Sequence, residues 1–135
     1  MQLKDLPPPP KTADAFYEIA GYEREDGTLA ASFAIDLPLA ASLAAALTLV
    51  PAGVAEDSIR AKKLEPMLEE NLAEVLNVAG RFFNSPSSPR VILKSFFKPP
   101  CSGALAQLWA TAPIRFAFEV TPVGYKPGKI ALVAN

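Results

Sequence analysis

The chain has 135 residues, half of them hydrophobic, with 13 basic and 14 acidic side chains. That length and apolar content suit one globular domain and exclude a disordered chain, while the near-neutral charge gives no strong pull on nucleic acid or on a membrane surface. Histidine is absent and Cys101 is the single cysteine, which excludes Ser-His-Asp and Cys-His catalysis, histidine-ligated metal, the usual zinc sites and an intrachain disulfide.

Residues 1–12, with Pro7-Pro8-Pro9-Pro10, are expected as a stiff, extended polyproline lead-in to a single domain over residues 13–135. They do not resemble a signal peptide, and the expected location is the cytoplasm. Phe16 to Glu23 and Thr28 to Asp36 read as strands, joined through Asp26-Gly27, a pair favoured in hairpin turns. Asp36 is placed to cap a helix with Pro38 in its first turn, followed by the Ala/Leu run Leu39 to Val50. That run is too short to span a membrane and should be a helix buried on most sides, stopped by Pro51 and Gly53. Asp57 or Ser58 would cap the next helical stretch, which Pro66 interrupts.

A helix is then expected from about Pro66 to Phe83. Leu64, Leu68, Leu72, Val75, Ala79 and Phe82 make an apolar stripe at spacings of four and three. Glu70, Glu74, Asn77 and Arg81 recur at the same spacings on roughly the opposite side. Two like charges at i,i+4 and a mid-helix Asn both weaken a helix slightly, so the polar row is unusual for a merely solvated face. After a loop at Asn84 to Pro89, Val91 to Lys98 reads as a strand ended by Pro99-Pro100. Ala104 to Thr111 is assigned to a strand for its position near the β-rich end. Ile114 to Pro122 and Lys129 to Ala134 complete the strands. The expected fold is α+β, a mostly antiparallel sheet with helices packed on one face.

The motif residues resemble the CheC/CheX family of chemotaxis phosphatases. That family is marked by an Asp or Ser, three residues, Glu, two residues, Asn, twenty-two residues and Pro. Here Glu70 stands four before Glu74, Asn77 follows three after it, and the twenty-two positions 78–99 lead to Pro100. The Pro-Pro pair, Ser102-Gly103 and the segment from Gly27 to Gly53 are similar to the CheX branch, and the likeness runs over residues 18–134. It implies a CheC-like fold and an enzyme that hydrolyses the aspartyl phosphate of a CheY-type response regulator in two-component signalling. Asn77 would orient the attacking water and Glu74 would pair with a lysine of the partner. Glu70, Arg81 and Pro100 are the implied partner-binding residues, with Pro100 also shaping the strand end. No cofactor of its own is implied, because magnesium sits on the partner. Leu76 stands where the CheX branch has a small residue, and would be placed at the docking face.

A non-catalytic receiver-binding module on the same fold is the alternative, and a solvated polar face on a structural domain is the third reading. The resemblance also implies a homodimer, formed by pairing edge strands.

Overall fold

The computed structural model describes residues 2–79 and 91–135. Among these residues, six strands form one antiparallel sheet: β1 (Gln2–Leu6), β2 (Glu18–Arg24), β3 (Leu29–Ile35), β4 (Val91–Phe97), β5 (Ile114–Thr121) and β6 (Gly128–Ala134), in the spatial order β1-β5-β6-β3-β2-β4. Among the described residues, four helices accompany it: α1 (Leu37–Leu47), α2 (Ala52–Ala61), α3 (Pro66–Ala79) and α4 (Gly103–Thr111). The α+β class and the antiparallel sheet are as expected.

Local chemistry sets the elements. The β2–β3 hairpin turns at Asp26-Gly27: Gly27 takes φ 85°, and Asp26 Oδ1 accepts from Thr28 N at 2.9 Å and Thr28 Oγ1 at 2.6 Å. Asp36 caps α1 by accepting from Leu39 N at 3.0 Å. The helix ends earlier than expected, before Pro51 is reached. Val50 N donates to Ala45 O at 2.9 Å and Leu49 N donates to Ala46 O at 3.5 Å, a Schellman closure that puts Leu49 at φ 58°. Glycine usually fills that position, and a leucine there costs roughly 1–2 kcal/mol of backbone strain. Helix α2 starts directly after Pro51, so Asp57 and Ser58 lie inside it rather than capping it.

Period-two alternation divides the sheet into two faces. Ala20, Tyr22, Ala31, Phe33 and Ile35 point to the face carrying α1 and α3, where Leu39, Leu64, Leu68, Leu72 and Leu76 are buried. Ile19, Ala34, Ala131 and Val133 point to the other face, where α4 lies. That helix replaces the strand expected at Ala104 to Thr111. Leu105, Leu108 and Trp109 are spaced three and four apart, which is helical rather than alternating, and all three are buried. Trp109 Nε1 donates to Ser32 Oγ at 3.1 Å, so two buried polar groups satisfy each other.

The N-terminal segment also departs from the expected stiff lead-in that precedes the domain. Gln2–Leu6 pairs with β5 as an edge strand. The prolines then carry the chain over the α4 side of the sheet towards β2. Pro9 is buried, Arg115 Nη2 donates to Pro10 O at 2.8 Å, Cys101 N donates to Asp14 Oδ1 at 3.1 Å, and the Phe16 ring lies 6.0 Å from that of Trp109.

One close approach locks α1 to the sheet. A Cβ on Gly128 would lie 2.3 Å from Leu39 N and 2.5 Å from Asp36 Oδ1, where the N-cap bond is made. Gly128→Ala is therefore expected to cost more than about 2 kcal/mol, measured as a fall in the urea midpoint with an unchanged slope.

Candidate functional site

Helix α3 is seated by a strict four-residue leucine row: Leu64 just before it, then Leu68, Leu72 and Leu76, all buried. Tyr22, buried in β2, donates its hydroxyl to Leu76 O, tying the helix to the sheet at that turn. Val75, expected in the row, is only half-buried. Leu76 takes its place, so the bulk expected at the docking face points into the core.

Glu70, Glu74 and Asn77 are all exposed. At 100° per residue they fall within a sector of about 60°, opposite the leucine row. Among the described residues no cation lies within 4 Å of Glu70 or Glu74. The α3 face is therefore a row of two unpaired carboxylates and an amide, held rigidly by the packing behind it. Arg81 lies outside the described residues. Pro100 is exposed, follows β4 and has a cis bond from Pro99. It is at the other end of the helix from Asn77. Lys98 meets Glu69 in the first turns, whereas the turn of Leu76 sits over Tyr22, which pairs with Leu93. The eight-residue separation of Glu69 and Asn77 spans about 12 Å of helix.

A second cluster, which the sequence reading missed, sits at that first end. Lys98 Nζ lies 3.3 Å from Glu69 Oε1, 3.5 Å from Glu18 Oε2 and 3.6 Å above the centre of the Tyr17 ring. The Tyr17 hydroxyl donates to Glu69 Oε1 at 3.1 Å and accepts from Leu64 N at 3.1 Å. Glu18 is only 6% exposed, and its Oε2 has the long ion pair with Lys98 but no hydrogen bond. Burial pushes its carboxyl up to about 7; Lys98 opposes this and Glu69 reinforces it. At half-exposed Lys98 the balance is reversed: burial works against the charge, but Glu18, Glu69 and Tyr17 outweigh it and hold the pKa above its ordinary value. The signal was available in the alternation, since Glu18 has the same parity as core-facing Ala20 and Tyr22.

Cys101 is half-buried, and burial, then Asp14, push its thiol up, which suits an unreactive structural thiol. Among the described residues no group of three or more His, Cys, Asp or Glu side chains could hold a metal, and no helix is long and apolar enough to cross a membrane. No protein-family model, curated protein or solved structure matches the chain.

The Glu18 cluster sets a pH dependence. Folded, Glu18 keeps its proton up to about pH 7; unfolded, it loses it near the ordinary glutamate value. The folded state thus holds the extra proton between these values, and stability falls as pH rises through that window. Glu18→Gln is expected to flatten this fall and to be more stable than wild type at pH 8, measured by urea unfolding across pH 4.5 to 8.

Proposed function

We propose that this protein is a CheX-like phosphatase that hydrolyses the aspartyl phosphate of a CheY-type response regulator. The observation that carries the reading is the exposed row of Glu70, Glu74 and Asn77 on a helix whose opposite side is buried along its length. An acyl phosphate is already reactive, so its hydrolysis needs a positioned water and a docked partner rather than a strong nucleophile. A chain without histidine is suited to that chemistry.

In this mechanism α3 enters the partner's active site. The Asn77 carboxamide holds a water in line with the phosphorus–oxygen bond to the partner's aspartyl carbonyl. Attack by the water breaks that bond and yields inorganic phosphate and the free carboxylate. Glu74 pairs with a partner lysine, and Glu70 extends the acidic contact. Magnesium belongs to the partner, so the chain needs no cofactor of its own. Pro100, remote from Asn77, acts on the shape of the β4 end rather than at the reacting atoms. Homodimer formation is assigned to a sheet edge, β1 or β4, which leaves the α3 face open.

The test is phosphate release from magnesium-loaded, phosphorylated CheY-type receivers, with and without this protein. Wild type is expected to accelerate release. Asn77→Ala is expected to abolish the acceleration with no more than about 0.5 kcal/mol change in stability, because the side chain is exposed. Glu74→Ala is expected to weaken docking as well. Binding without acceleration would replace the phosphatase by a non-catalytic receiver-binding module. Neither binding nor acceleration across a panel of receivers would reduce the row to a solvated face.

A further inference from the structure

The turn after α1 carries two costs that folding does not explain. Leu49 sits at φ 58°, in the left-handed region, and its side chain is 91% exposed. Lys62 takes the same backbone after α2, but a solvated lysine loses nothing by being outside. Leu47, in the last turn of α1, is 58% exposed. These leucines flank Thr48, whose Oγ1 accepts from Asn71 Nδ2 on α3 at 3.1 Å. The α1 turn is thereby pinned beside one flank of α3.

That flank carries further apolar surface. Around the helix, Met67, Glu74 and Val78 all lie within about 60° of Asn71. Met67 is 46% exposed and Val78 49%. Met67 and Val78 thus share a flank of α3 with Asn71 and Glu74, and Leu47 and Leu49 flank the Thr48 that Asn71 holds. An apolar rim around one charged group is the surface pattern of a protein interface, where surrounding contacts exclude water from a central ion pair.

We propose that this α1–α3 shoulder is a second half of the docking face, and that it receives an apolar surface of the receiver domain next to the lysine that meets Glu74. The proposal rests on the receiver-directed function above and adds the apolar contact to it. The occupant is chosen by charge: the described residues on the exposed face of α3 supply two carboxylates and no cation, so the matching surface is a basic side chain bordered by apolar ones. A second copy would bring the same carboxylates against each other.

The strained leucine makes the test sharp. Leu49→Gly removes both the backbone strain and the exposed side chain, so its melting temperature should equal or exceed that of wild type. The same change is expected to weaken binding to a magnesium-loaded receiver by roughly fivefold or more, with acceleration at saturating receiver retained. Leu47→Ser is expected to weaken binding in the same direction. Binding is measured by titration against a receiver that wild type accelerates, and self-association by sedimentation. Unchanged receiver affinity in both leucine variants overturns the shoulder while leaving the phosphatase reading intact. Self-association of wild type that both variants abolish makes a second copy the occupant and also overturns it. If wild type neither binds nor accelerates any receiver tested, the functional reading fails and the shoulder fails with it.

Discussion

The seating of α3 on the sheet is the constraint on which the candidate site depends. Leu64, Leu68, Leu72 and Leu76 recur every four residues, and burial of all four fixes the rotation of the helix about its own axis. Once that rotation is set, Glu70, Glu74 and Asn77 have nowhere to go but outward. Each buried leucine contributes about 1.5–3 kcal/mol relative to exposure, far more than the few tenths lost to repulsion between Glu70 and Glu74. The unfavourable polar row is therefore carried by the apolar one. The Tyr22 hydroxyl on Leu76 O and the Lys98 cluster at Glu69 hold the two ends of the same helix.

The two ends differ in kind. At Leu76 the tie is a neutral hydrogen bond from a buried phenol, insensitive to ordinary changes of pH. At Glu69 the tie passes through two carboxylates sharing one ammonium, with one of them almost fully buried. Burial of Glu18 costs more than Lys98 returns, so this end of the helix feels proton concentration.

Much of the arrangement was legible in the residues. The Asp26-Gly27 hairpin, the Asp36 cap, the buried Ala/Leu helix and the outward row on α3 all follow from local rules of turn chemistry and period. The errors have physical causes. Leu105, Leu108 and Trp109 carry a helical spacing, but their neighbourhood of strands suggested otherwise. Val75 and Leu76 are adjacent, and the three-residue step from Leu72 favours Val75 in the apolar stripe, whereas packing on the sheet buries Leu76 and leaves Val75 half-buried. The proline run read as a stiff lead-in to the domain because consecutive prolines favour an extended chain without internal hydrogen bonds. Its anchoring depends on Arg115, 105 residues away in sequence. The Glu18–Lys98–Glu69 cluster likewise joins three elements, a juxtaposition that tertiary packing alone creates.

The proline strap has a kinetic consequence. It places β1 at the far end of the sheet from β2, its neighbour in sequence, and the partners of β1 lie near the other end of the chain: Gln2 faces Thr121 and Leu6 faces Ala117. Closing a loop of that length is entropically expensive, and the exposed side chains of Gln2 to Asp5 add little apolar burial in return. Strand β5 must already be in place before β1 has an edge to join. Strand β1 thus follows β5 during folding, and its mostly exposed side chains give it few apolar contacts to hold it there. The edge of β5 becomes available whenever β1 opens, while Arg115 on Pro10 keeps the rest of the strap in place.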